Sequence, residues 1–142
     1  MAQYLDFMIQ QWMLSGLLLV ILIAIVINEL RFKSLMTTAL NNQQAIELIN
    51  HQQAIVIDIR EPDLFRQGHL LRAMNLPYQQ WQNKKSKLNK FKQKPLIIVC
   101  AQGLLSSKVV KELNEDGFES VYRLSGGITS WQQEQYPLSK EQ

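Results

Sequence analysis

The sequence predicts an α/β fold, an open and mostly parallel sheet flanked by helices, preceded by one transmembrane helix. Two observations carry that prediction. Short β-branched apolar runs alternate with segments of helical period over roughly a hundred residues, the pattern of strand–helix–strand units. Ahead of them stands the stretch 12–27, WMLSGLLLVILIAIVI, with no charge and nothing more polar than Ser15.

A helix needs roughly 20 apolar residues to cross the hydrocarbon of a bilayer. The run reaches that length over about 9–28, at the cost of Gln10 and Gln11, or by running forward to Leu30 past Glu29. A buried helix of a soluble domain keeps a polar stripe, whereas this run is apolar all round. Trp12 and Tyr4 suit one membrane interface. A cleaved signal peptide needs a basic start and a small-residue cleavage site. Residues 1–12 hold no Lys or Arg, and the run exits into Asn28-Glu29-Leu30-Arg31. Residues 1–33 are therefore expected to stay as an anchor, and 34–142 to form the soluble domain. Asp6 is the only charged side chain before the run, and Arg31 and Lys33 follow it. The positive-inside rule then puts the N-terminus outside and the domain in the cytoplasm, as a single-pass protein in the lipid bilayer.

The 142 residues carry 15 Lys plus Arg against 12 Asp plus Glu, and the whole excess of +3 belongs to 34–142. So small an excess gives no argument for a nucleic-acid partner. The composition is not that of a collagen, a disordered chain or a disulfide scaffold. The lone cysteine, Cys100, has no internal partner, which fits a reducing compartment or a thiol kept for chemistry.

Within the domain, 36–40 reads as a short edge strand. In 41–50 (NNQQAIELIN), Ala45, Ile46, Leu48 and Ile49 recur at helical spacing behind Asn41 or Asn42 as cap. The run 54–59 (AIVIDI) is β-branched without alternation, as in a parallel strand covered on both faces. Pro62 opens a helix over 62–67, and Gly68 ends it. A second short strand is expected over 73–76 before Pro77, then a helix over 79–88. After Pro95 comes the most strand-like tetrapeptide, 96–99 (LIIV), which runs straight into Cys100. The segment 106–116 puts Val109, Val110 and Leu113 on one helix face, with Ser106 or Ser107 as N-cap and Gly117 as stop. A strand over 118–124, a sharp turn at Gly126-Gly127 and a helix over 128–135 complete the pattern.

Ligands of such sheets bind beyond the carboxyl ends of the strands, and Cys100 stands at one, directly before a helix. A loop of Cys100, Ala101, Gln102, Gly103, Leu104 and Leu105 would aim backbone N–H groups and the positive end of the helix dipole at the sulfur, stabilising a thiolate and an adjoining anion. Free cysteines are also among the most buried residues, so these local features fit a small buried hydrophobe equally well.

Three motifs separate the two readings. VIDIREPDLFRQGHLLRAMNLP (56–77), IIVCAQGLLSS (97–107) and YRLSGGITSW (122–131) resemble, in order and spacing, those of the rhodanese family of sulfurtransferases. The resemblance runs over about 36–138. It implies a rhodanese-like fold in which Cys100 is the nucleophile. That cysteine takes a sulfane sulfur from a donor, holds it as a persulfide and passes it to a thiophilic acceptor, with no cofactor or metal. Asp58 and Arg60 match a pair that braces neighbouring loops in the family, with Ser106 a further support of the site. His69 matches a turn residue, and His51 reads as a surface residue. Gly126, Gly127 and Trp131 read as a turn and a core aromatic.

One position departs from the family. Many members place Arg sixth in the loop, where it helps to bind anionic donors such as thiosulfate. Here that residue is Leu105, preceded by Leu104. A loop without its own cation binds a small dianion less well, and two leucines favour a protein-borne or partly apolar persulfide donor. Cysteine phosphatases need Arg six residues after the cysteine, where this chain has Ser106, which argues against phosphate chemistry. A last feature is Lys84, Lys85, Lys87, Lys90, Lys92 and Lys94, six lysines with no acid among them. This is either a solvated face or one that leans on anionic headgroups. The sequence thus supports a membrane-anchored sulfurtransferase with a sulfur donor and a thiol acceptor as partners. The alternative is a non-catalytic module tethered to dock on another membrane protein.

Overall fold

The computed structural model describes Tyr4, Asp6 and residues 12–140, the side chains of 31–37 excepted. Contacts divide the chain into two units, Met1–Thr37 and Thr38–Gln142. In the first, α1 spans Trp12–Thr37. Its Trp12–Leu30 stretch of 19 residues is long and apolar enough to cross a membrane, and none of it is buried. Residues 9–11, the expected start of the span, lie outside the described residues. The edge strand expected over 36–40 shrinks to β1, Ala39–Leu40, because Leu35 and Met36 are good helix formers and α1 runs on to Thr37.

The second unit is a five-stranded sheet in the order β1-β5-β4-β2-β3, with every neighbouring pair parallel. Its strands are β2 (Ile55–Asp58), β3 (Met74–Asn75), β4 (Leu96–Val99) and β5 (Val121–Leu124) beside β1. Around them pack α2 (Asn42–Gln52), α3 (Pro62–Gln67), α4 (Trp81–Lys84), α5 (Leu104–Glu115) and α6 (Gly127–Gln133). Residue alternation sends the β4 side chains to two separate cores. Leu96, Ile98 and Cys100 join Ile57, Trp81, Val109 and Leu113 on one face. Ile97 and Val99 join Val56, Ala45, Leu124, Ile128 and Trp131 on the other. Every β4 residue is buried, which explains its unbroken apolar reading.

Two segments depart from their expected forms. The region expected as a helix over 79–88 is a 3-10 turn, the single-turn α4 and a further 3-10 stretch over Lys85–Phe91. No acidic side chain stands three or four residues from its lysines within the segment to support a regular helix. It is held instead from outside, by burial of Trp81 and Leu88 and by the Trp81 indole N–H donating to the Glu112 carboxylate at 2.9 Å. The last strand begins at Val121 rather than 118, although Phe118 is still buried.

The chain order defines where a site forms. From β2 the chain steps to β3 at one side, then crosses to β4 and continues to β5 at the other. The crevice of an open α/β sheet opens at such a reversal, between the carboxyl ends of the two diverging strands. Those ends are Asp58 on β2 and Val99 on β4, which are paired in register.

Candidate active site

Cys100 follows Val99 at that reversal, and the Ile59 N–H donates to the Val99 carbonyl at 2.9 Å to hold the two strand ends together. The cysteine is buried at 4% exposure, with its sulfur turned into the loop. The Gly103 N–H donates to Cys100 Sγ at 3.0 Å. That bond requires the chain to double back within three residues, which it does through a left-handed Gly103 at φ +85°. A side chain there would also come within 3.1–3.2 Å of the Gly126 nitrogen and the Leu124 carbonyl.

Ser106 is not the N-cap that the sequence suggests. Helix α5 begins at Leu104, and Gly103 is its cap residue without any side-chain cap bond. The Ser106 and Ser107 hydroxyls both turn back to donate to the Gly103 carbonyl, at 2.9 and 3.5 Å. Ser106 is fully buried, and the Cys100 thiol reaches its Oγ at 3.6 Å. The sulfur therefore touches two partners that keep the loop closed beneath it. Above it, Ala101 and Gln102 are exposed, Leu104 is 80% exposed and Leu105 38%. The loop carries no cation of its own. One turn further along α5, Lys108 lies 5.6 Å over the Tyr78 ring, and hydrogen bonding with Tyr78 raises its pKa above the ordinary lysine value.

Asp58 and Arg60 form a buried pair at the end of β2. Arg60 Nη2 stands 2.7 Å from Asp58 Oδ2, its Nε donates to both carboxylate oxygens, and the Arg60 backbone N–H donates to Oδ1 at 3.0 Å. The same guanidinium donates to the Gly68 carbonyl at 2.8 Å, and the Asn75 amide donates to the Asp58 and Arg60 carbonyls. One ion pair thus ties together β2, the end of α3 and β3. His69 is buried against Phe65, stacked at 3.8 Å, and pairs through its backbone with Ser139, whereas His51 is exposed. Among the described residues, no group of three or more His, Cys, Asp or Glu side chains stands together as a metal site.

The sequence reading missed the start of α6. By residue type Gly126-Gly127 reads as a plain turn, but this turn grips the cysteine loop. The Ile128 N–H donates to the Cys100 carbonyl at 2.9 Å, and Thr129 donates to the Ala101 carbonyl through its N–H at 3.1 Å and its hydroxyl at 2.9 Å. A Cβ on Gly127, at φ +60°, would stand 2.3 Å from the Cys100 carbonyl oxygen. Two adjacent glycines just after a strand, at the same end of the sheet as the cysteine, were the available signal. Trp131, read as a core aromatic, is buried and donates through its indole N–H to the Pro137 carbonyl.

Comparison with known proteins bears on the same residues. The rhodanese-like domain family matches residues 41–134. The uncharacterized protein YibN of Escherichia coli K12 is 30% identical over 139 residues, 97% of each chain. The thiosulfate sulfurtransferase GlpE of Coxiella burnetii is 30% identical over 97 residues, 68% of this chain and 89% of that one. A rhodanese-related protein from Thermoplasma volcanium superposes with a TM-score of 0.66 at 29% identity, over 72% of this chain and 98% of its own.

Proposed function

The chain belongs to the rhodanese-like family, and from that premise we propose that it is a membrane-anchored sulfurtransferase carrying a sulfane sulfur as a persulfide on Cys100. The observation that carries this reading is the 3.0 Å hydrogen bond from the Gly103 N–H to Cys100 Sγ, at the carboxyl-end reversal of the sheet. A donor fixed at that distance favours negative charge on the sulfur without reorganisation. In the first step the Cys100 thiolate attacks the outer sulfur of a donor. The sulfur–sulfur bond of the donor breaks, its electron pair leaves with sulfite or a thiolate, and the charge passes to the terminal sulfur of the new persulfide. In the second step an acceptor thiolate attacks that sulfur, and the Cys100 thiolate is restored. Both steps balance in charge and electrons without a redox partner.

The donor that suits this loop is a persulfide on a small thiol or a protein. Thiosulfate brings two negative charges to a rim that offers the exposed Leu104 and Leu105 and no guanidinium. The Trp12–Leu30 stretch supports an anchor, and the basic residues Arg31 and Lys33 after it support a cytoplasmic domain. The test is sulfur transfer by the full chain in detergent micelles, with an alkyl persulfide or thiosulfate as donor and a thiol as acceptor. Turnover that vanishes in Cys100→Ser is expected. Equal rates for the two chains, or no turnover from either donor by a folded and reduced protein, would overturn the assignment and leave a binding module.

A further inference from the structure

All five strands run parallel, so the domain has one pole where strands begin and another where they end. Cys100 and the Asp58–Arg60 pair lie at the end pole. The domain's first residue, Thr38, directly precedes β1 and so lies at the start pole. The lysine run gathers there as well. Lys85 pairs with Asp116 at 2.8 Å and the Lys92 ammonium donates to the Asp116 carbonyl at 3.0 Å, just past the end of α5. Glu119, shortly before β5, donates its N–H to the Lys92 carbonyl, and Lys94 is two residues ahead of β4.

Among the described residues the Asp116 carboxylate pairs only with Lys85, and Lys92 rests on the backbone carbonyl of Asp116. Lys84, Lys87, Lys90 and Lys94 form no ion pair among the described residues. Lys90 lies 4.9 Å over the Phe91 ring, a contact that leaves its charge uncompensated. Beside them opens a groove of about 750 Å³, in which Lys94 and Arg72 stand among Ile49, Leu71 and Tyr136. Arg72 precedes β3 and so belongs to the same pole, and the adjacent Leu71 is 68% exposed. These four lysines, an arginine and an exposed leucine thus share the pole at which the chain enters the domain.

We propose that this pole docks on the anionic headgroups of the bilayer that anchors the chain, with Lys84, Lys87, Lys90, Lys94 and Arg72 meeting lipid phosphates and Leu71 at the interface. The inference rests on the reading of α1 as an anchor. Charge complementarity and the position of Thr38 choose the occupant. Each cation near an anionic leaflet contributes about a fivefold preference for it, and the attraction fades within about 8–10 Å, so it acts on the tethered pole. The cysteine loop lies the length of β4 further away, about 13 Å at roughly 3.3 Å per residue, and faces soluble donors and acceptors.

The test uses the full chain in nanodiscs of phosphatidylcholine alone or with a third phosphatidylglycerol, with amine acylation read at each lysine. Anionic discs are expected to slow labelling of Lys84, Lys87, Lys90 and Lys94 by about fivefold or more, to leave Lys108 unchanged, and to lose the effect in about 1 M salt. Hydrogen exchange over 69–74 should slow in the same discs, and return to its zwitterionic-disc rate when the four lysines are changed to Gln. Equal labelling in both discs, with the chain still held through an alkaline wash, overturns the docking pole and leaves the anchor standing. Release of the chain from both discs by that wash overturns the anchor and the pole with it.

Discussion

Gly127→Ala isolates the grip of α6 on the cysteine loop. The added methyl would stand 2.3 Å from the Cys100 carbonyl oxygen and 2.7 Å from that of Ala101, against an ordinary contact of 3.4–4 Å. The loop must therefore retreat by about 1 Å, straining the hydrogen bonds that Ile128 and Thr129 make to it. The left-handed backbone of a non-glycine residue costs about 1–2 kcal/mol, and overpacking a tight contact about 1–3 kcal/mol more. Gly117→Ala supplies the control. Gly117 has φ +86° with nothing within 4 Å of its Cβ position, so only the backbone cost applies. The two variants should differ by about 1–3 kcal/mol, or roughly 4–24 °C in Tm for a domain of this size, with Gly127→Ala the weaker. A shift of about 1 Å in a reacting group slows chemistry by about a hundredfold. Thermal unfolding and the rate of sulfur loading of the full chain read both effects. If Gly127→Ala matched Gly117→Ala in Tm and loaded sulfur at the wild-type rate, the contact between α6 and the loop would have no bearing on Cys100.

Three further outcomes follow from the same geometry. Leu105→Arg places a guanidinium on the exposed rim, where a charge-assisted hydrogen bond of about 1.5–3 kcal/mol should raise kcat/KM for thiosulfate about ten- to a hundredfold while an alkyl persulfide gains little; no gain with thiosulfate would remove charge as the basis of donor choice. Asp58→Ala strands a buried guanidinium and should cost about 3–5 kcal/mol in urea unfolding, whereas a loss near the surface-pair range of about 0–1 kcal/mol would contradict the bracing role. A C-terminal tag should be cut by protease in inverted membrane vesicles and protected in right-side-out ones, and the reverse pattern would place the domain outside.

How much of this was legible depended on whether the cause was local. The bounds of α3 follow from Pro62 and Gly68, which punctuate the chain by their own backbone chemistry, and those of β4 from four β-branched or apolar residues after Pro95. The position of Cys100 was legible because it directly follows that strand. Three features were less legible, one set by a near neighbour and two by distant partners. Ser106 reads as a cap by residue type, yet Gly103 had already turned the chain, leaving its hydroxyl to bond backward. The 3-10 stretch over Lys85–Phe91 depends on Leu88 burying itself against a remote helix face. The need for glycine at 127 arises from carbonyls 26 and 27 residues earlier in the chain.

The central claim is that Cys100 carries sulfur, and intact-mass analysis of the full chain and of Cys100→Ser after incubation with an alkyl persulfide tests it most directly. A carrier gains the mass of one sulfur atom, loses it to cyanide or an excess of thiol, and gains nothing when Cys100 is serine. A folded, reduced protein that stays at its original mass, or a Cys100→Ser chain that gains the same mass, would contradict it.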